Sequence, residues 1–320
     1  MFFEGSEKKA EIIIDPVQLS LLNDFSDDFW ATLVNHCDAQ IISKIDNSSC
    51  KAFLLSESSL FVWSDRLLIL TCGTTRLVHA VEYFLGQVNH QAILQLIYQR
   101  KNEYFSQAQP SNFIDDIKRL NSQINGVAYR FGQLYGHHNY LYHLDNYYQA
   151  DPADKTYELL AYQISQAASD QLTNTGLSIT EIRQFLRLSE LLPGFSIDDH
   201  QFKPFGYSLN AIKQDKYVTI HVTPQATSSY VSFESNLDLF EKLPLILAIL
   251  SPASFDLVSF NEAAFDAKTK QFIPPDYISS SLVHKPLSNG FDVHFAHYIR
   301  PQTDFTSPTL LDLTGAHHAF

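Results

Sequence analysis

Apolar positions along the chain follow two rhythms. Short strand-like runs dominate: AEIII (10–14), AQIISKI (39–45), KAFLL (51–55), LFVW (60–63), LLILT (67–71) and AILQLIYQR (92–100). NYLYHL (139–144), KYVTIHVT (216–223), SSYVSFE (228–234), FDLVSF (255–260) and FDVHFAHYI (291–299) continue the series. β-Branched and aromatic residues fill these runs, which predicts strands. In KYVTIHVT the alternation is strict. Tyr217, Thr219, His221 and Thr223 share one face, and Val218, Ile220 and Val222 the other. A second rhythm, with apolar residues three and four apart, predicts helices in PVQLSLLNDFSDDFWATLVN, TRLVHAVEYFLGQV, NFIDDIKRLNSQI, SITEIRQFLRLSELL and NLDLFEKLPLILAIL.

Many strands, a few helices between them and hairpin-length connections such as TPQATSS predict an α+β fold with mainly antiparallel sheets. No repeat is visible by eye. The Pro- and Gly-marked stretch LLPGFSIDDHQFKPFGY (191–207) is the expected seam between halves.

Composition narrows the function. At 320 residues and 45% hydrophobic, the chain can build one large domain or two ordinary ones. Its formal charge is -13, with Lys and Arg scattered, which argues against nucleic acid or an anionic membrane as partner. The start, MFFEGSEKKAEIII, has no signal-peptide apolar region, and LPLILAILSPASF is too short to span a bilayer. Three cysteines, Cys37, Cys50 and Cys72, suit free thiols in a reducing compartment. A cytoplasmic globular protein is expected, and no metal.

One stretch breaks the pattern. In LLSESSLFVW (54–63) two apolar runs are joined by Ser56-Glu57-Ser58-Ser59, with no Gly, Pro or Asn to make a turn. A serine hydroxyl needs a base or strain to act as a nucleophile. With both, Ser58 Oγ can attack the Glu57 carbonyl and convert the amide to an ester. Removal of the Ser58 Cα proton then expels the upstream carboxylate, and loss of ammonia leaves a pyruvoyl group, an electron sink for amines. An SESS tetrapeptide by itself is an ordinary polar loop.

FFEGSEK (2–8), LLSESSLFV (54–62), TCGTT (71–75), GYSLN (206–210), TIHVTP and SYVSFE (within 219–234) occur in this order. Together they resemble the eukaryotic-type S-adenosylmethionine decarboxylases, pyruvoyl enzymes of polyamine synthesis. The resemblance runs from Phe2 to about Tyr298 and thins between 76 and 150. It implies a four-layer αββα sandwich with two large, mainly antiparallel sheets in a single domain spanning 1–320. It also implies self-cleavage between Glu57 and Ser58 into 1–57 and a pyruvoyl-headed 58–320.

The same resemblance assigns roles. Cys72 protonates the substrate Cα after carbon dioxide leaves, and a thiol that is mostly protonated at neutral pH suits that task. His221 and Ser208 assist processing, with the imidazole as base. Phe3 and Phe202 sandwich the adenine, Leu55 lines its pocket through the backbone, and Glu4 and Glu7 lie near the active centre. Glu11, Asp154, Thr156, Glu158 and Glu234 form an acidic patch between the sheets that binds putrescine, an activator, in some members. A homodimer is also within the family's range.

Four positions depart from that pattern. Gln225 stands where relatives carry a Glu that grips both ribose hydroxyls; a neutral amide there costs about 1–2 kcal/mol, roughly a decade of affinity. Leu70 stands where activated members carry a Lys, leaving four carboxylates with no obvious internal partner unless a diamine or Arg100 supplies the charge. Ile97 and Gln99 replace an aromatic and a small hydroxyl, while Phe260 remains. Two alternatives therefore stay open: a pyruvoyl decarboxylase of ornithine or arginine, and a weakly active regulatory homologue.

Overall fold

The structure, a computed structural model, describes residues 7–103, 106–174, 176–203, 206–223 and 229–302, with 305, 307 and 308. Eight strands form the first sheet: β1 (Lys8–Ile14), β2 (Ile41–Asp46), β3 (Lys51–Leu55), β4 (Ser58–Val62), β5 (Arg66–Thr71), β6 (Ile93–Lys101), β7 (Gly126–Gly132) and β8 (His138–Leu144). Eight more form the second: β9 (Thr156–Tyr162), β10 (Ser196–Gln201), β11 (Tyr207–Lys213), β12 (Lys216–Thr223), β13 (Tyr230–Ser235), β14 (Ser254–Phe260), β15 (Ile278–Pro286) and β16 (Asp292–Ile299). Both sheets are antiparallel, as expected. Their strand orders are β2-β3-β4-β5-β1-β6-β8-β7 and β10-β11-β12-β13-β9-β14-β16-β15. The second order is the first with eight added to each label. The fold is therefore an internal duplication that the sequence does not display.

This duplication moves the expected seam. Each sheet is built from one contiguous half of the chain, so the division falls between Leu144 and Thr156. The 191–207 stretch instead contains edge strand β10, paired with β11.

Period-two alternation gives each sheet two buried faces. On the outer face of the first sheet, Ala10, Ile12, Leu55, Leu60 and Ile69 pack against helices Asp27–Asn35, Leu77–Gln87 and Phe113–Asn121 through Trp30, Phe84 and Leu120. The outer face of the second sheet packs Leu159, Leu209, Ile220 and Leu257 against Leu172, Ile182, Ile246 and Phe265 of its own helices. The inner faces meet through Ile13, Ile97, Val258 and Phe295 in one cluster, and through Phe61, Leu68, Leu70, Ile212 and Tyr217 in another. Helix, sheet, sheet, helix is the layer order.

The strands missing from the pattern analysis are β7, β9, β10, β11 and β15. Edge strands β10 (SIDDHQ) and β15 (ISSSLVHKP) are polar because one rim is solvated, and β9 (TYELLAY) places a carboxylate in an apolar run. The helix expected over SITEIRQFLRLSELL (178–192) is interrupted at Arg187, whose φ of 51° separates Ile179–Phe185 from Leu188–Leu191. Among the described residues no helix is long and apolar enough to cross a membrane.

Candidate active site

The turn that lacked turn residues is a two-residue hairpin. Leu55 faces Ser58 across the β3–β4 ladder, with Ser56 and Glu57 between them. The positive φ that such hairpins place on Gly or Asn falls on Ser58, at 139°. A residue with a Cβ held there costs about 1–3 kcal/mol. The distortion also breaks the alternation. Ser58 and Ser59 are consecutive, yet both send their hydroxyls between the sheets, to His221 and Asn210 respectively.

Equivalent hairpins of the two halves face each other here, β3–β4 against β11–β12. His221 and Thr219 share one face of β12, as the alternation predicted; that face is the inner one, and Ser208 pairs with His221 in the β11–β12 register. Ser58 Oγ is 2.9 Å from His221 Nε2, and Ser208 Oγ is 2.8 Å from Nδ1. Burial pushes the His221 pKa down to about 3, so the ring is neutral. With Nδ1–H donated to Ser208, the Nε2 lone pair faces Ser58: the arrangement of a base with its nucleophile.

The carbonyl that Ser58 would attack is held from the other side. Glu57 O accepts from Cys72 N–H at 3.0 Å and from Cys72 Sγ at 3.2 Å. Burial and then the neighbouring Glu57 and Glu7 charges raise the Cys72 pKa well above that of a free thiol, so Sγ carries its proton. Lys8 Nζ donates to Gly73 O at 2.8 Å and Gln109 Oε1 at 2.9 Å, next to this turn. Burial, and then Arg100, lowers Lys8 to about 8.

Glu7 is buried, accepts from Ser232 Oγ, and has a pKa pushed up to about 7 by burial. The Leu55 side chain lies in the outer core of the first sheet, leaving only its backbone toward the turn. Phe202 follows β10 half-buried, with its ring edge-on to His200 at 4.7 Å between centroids. Phe3, Glu4 and Gln225 lie outside the described residues.

A family model described as adenosylmethionine decarboxylase matches residues 1–298. The chain belongs to the adenosylmethionine decarboxylase family. It is 30% identical to an S-adenosylmethionine decarboxylase proenzyme of Dictyostelium discoideum, across 92% of this chain and 85% of that protein. A Xenopus laevis proenzyme of the same name is 31% identical, across 84% of this chain and 86% of its own. The solved Trypanosoma brucei AdoMetDC-delta26 monomer has the same fold, with a TM-score of 0.59 and 22% identity over 76% of this chain and 99% of that one.

In this member of the adenosylmethionine decarboxylase family the acidic strip is internally paired, which corrects the sequence expectation. Glu158 and Glu234 are direct cross-strand neighbours, a repulsive placement unless a cation intervenes. Lys9 intervenes, with Nζ 2.8 Å from an oxygen of each. Arg66 does the same for Glu11, at 2.9 Å, and for Asp154, at 2.7 Å. Gln99 donates to Glu158 at 3.2 Å, and the Lys9 ammonium lies 5.4 Å from the Phe260 ring centroid. Thr156 lies two residues from Glu158 on β9, buried and opposite Phe260. Two cations serve four carboxylates, and burial still pushes Glu234 up to about 8.

Arg100 takes no part in this strip. It lies on the outer face of β6, bonded to Asp116 and Glu103. The signal for Lys9 was in the sequence, because KKAEIII alternates: Lys9, Glu11 and Ile13 share one face of β1. A further buried cluster went unread there. Asp256 accepts from His297 Nδ1 at 2.7 Å, His137 Nδ1 at 3.3 Å and Tyr162 Oη at 2.6 Å, which ties the β7–β8 loop to the second sheet.

Proposed function

We propose that the chain is a proenzyme that cleaves itself between Glu57 and Ser58 and then decarboxylates S-adenosylmethionine for polyamine synthesis. One observation carries the reading: a serine on a strained backbone, its hydroxyl on a neutral buried imidazole, preceded by a carbonyl that already accepts two donors.

The steps follow from those contacts. His221 Nε2 takes the Ser58 Oγ proton as Oγ attacks the Glu57 carbonyl carbon. Charge that develops on the carbonyl oxygen meets Cys72 N–H and the Cys72 thiol, which are in place before the reaction. The C–N bond breaks, the nitrogen takes up a proton, and the ester frees Ser58 from its φ of 139°. Removal of the Ser58 Cα proton expels the Glu57 carboxylate. Water then replaces the nitrogen, which departs as ammonia. A pyruvoyl group heads 58–320, and 1–57 ends at Glu57.

That group supplies the electron sink for loss of carbon dioxide from the substrate. The chain supplies the rest. Cys72, fully protonated and beside the new terminus, is the donor to the substrate Cα, and Glu7 is the nearby carboxyl poised near neutrality. We assign the adenine to Phe3 and Phe202 and the ribose to Gln225; Gln225→Glu then lowers KM about tenfold. The paired acidic strip supports a fold that needs no diamine activator. Three free cysteines support the cytoplasm as its compartment.

A denaturing intact-mass spectrum of fresh protein tests the reading. Species matching 1–57 and 58–320, the larger lighter by one ammonia than a serine-headed chain, are expected. A 320-residue chain that stays intact on long incubation overturns it.

A further inference from the structure

His221 Nε2 has one lone pair and three hydroxyls in reach. Thr219 Oγ1 lies at 2.8 Å, Ser58 Oγ at 2.9 Å and Ser59 Oγ at 3.3 Å. A neutral imidazole that gives Nδ1–H to Ser208 accepts one good O–H bond at Nε2. Thr219 is therefore a competitor of the nucleophile, and slightly the closer one. Where its proton goes decides whether Ser58 is activated.

Ser59 offers Thr219 another acceptor, Oγ at 3.1 Å. It presents its lone pairs to Thr219 when its own proton points away. The shortest contact of the group points that proton away: Ser59 Oγ donates to Asn210 Oδ1 at 2.6 Å. Asn210 is fully buried on β11, directly opposite Thr219 in register. Its Nδ2 has no partner among the described residues. A buried amide N–H with no partner is a cost, so the stability of the fold gives no reason for an Asn here. Its carbonyl is the part in use.

We propose that Asn210 is a positioning residue for self-cleavage. By holding the Ser59 proton it directs a chain Thr219→Ser59→Asn210, which leaves the His221 lone pair open to Ser58. This inference rests on the self-cleavage reading above and adds its polarity. Without Asn210, Ser59 is free to donate toward Thr219 or His221, and Thr219 to occupy the base.

The test is the rate at which freshly synthesised 320-residue chain becomes two pieces on denaturing gels, with folding checked by circular dichroism. Asn210→Ala slows cleavage about three- to ten-fold, the equivalent of one neutral hydrogen bond in competition. Adding Thr219→Val, which keeps the volume and removes the competing hydroxyl, restores the rate. Ser59→Ala breaks the middle of the chain, slows cleavage similarly and is rescued by the same second change. Were Asn210→Ala misfolded, the Ser59→Ala pair carries the test alone. Cleavage of Asn210→Ala at the parent rate, or folded double variants that stay slow, overturns the inference while self-cleavage stands. Failure of the parent to cleave removes both.

Discussion

Lys9 and Leu70 face each other across the β1–β5 ladder, and Lys9 carries the charge that Leu70 lacks. An ammonium at either position reaches the same space between the sheets, because directly opposed residues in an antiparallel pair project on the same side. In this chain the ammonium that serves Glu158 and Glu234 stands on β1, with apolar Leu70 opposite it on β5.

Lys9→Met leaves Glu158 and Glu234 buried beside each other with no ammonium. A loss of about 3–5 kcal/mol and a lower Tm are expected. Putrescine raises the Tm of the variant and leaves the parent's Tm and turnover unchanged. Thermal melts with and without the diamine check both parts, and activation of the parent by putrescine would refute the pairing argument.

His221 keeps its lone pair far below the pH at which an ordinary histidine loses it. Its pKa is depressed to about 3 by burial, so the neutral base persists as pH falls from 7 to 5. Self-cleavage should stay within about twofold over that range, where a base of pKa about 6.5 would lose more than tenfold. His221→Ala should leave the chain uncleaved, or stalled at an ester that hydroxylamine cuts. Stability moves with pH as well: the unfolded imidazole binds its proton below about 6.5 and the folded one only near 3, so this contribution is lost as pH falls between them.

Cys72 should resist alkylation. Its thiol is raised by burial and by the Glu57 and Glu7 charges, so little thiolate exists at pH 8. Iodoacetamide should modify the unfolded chain at least tenfold faster than the folded one at this position, as peptide mapping would read. Cys72→Ala removes the proposed proton donor, with an expected loss of about a hundredfold or more in turnover. Parent-like turnover in that variant would exclude the role.

Glu7 titrates near 7 in the fold against 4.5 when free, so the folded state holds its proton more tightly. Its contribution to stability is fully present below about 4.5 and is lost as pH rises through 7. The span corresponds to about 3 kcal/mol. Glu7→Gln should flatten that part of the pH–stability profile by a similar amount. Denaturant midpoints between pH 4.5 and 8 measure it, and coincident slopes for the two proteins would count against a buried, proton-holding Glu7.

Much of this was local enough to see in the chain. KAFLL and KYVTIHVT became β3 and β12 at the expected bounds, because alternation reports which residues a sheet buries. That Thr219 and His221 share a face followed from the same period; that this face is the inner one came from the packing of the two sheets. Central strand β9 did not show, since Glu158 interrupts its apolar run and is tolerated only because Lys9 arrives from the other sheet. Edge strands β10 and β15 look like loops because solvent takes one side of each.

The sequence by itself determined the strand-rich α+β class, the ordered motifs around Ser58, Cys72, Ser208 and His221, and the absence of a basic footprint. These depend on residue type and spacing along one chain. The tertiary structure decided three things. It put the backbone strain on Ser58, which is paired with Leu55 on one side and Thr71 on the other, and not on the two turn residues Ser56 and Glu57. It paired Lys9 and Arg66 with carboxylates 55 to 225 residues away in the chain, which hydrophobic periodicity cannot specify. And it laid one half over the other in the same strand order, since strand order is set by long-range pairing and packing that different residues can satisfy equally.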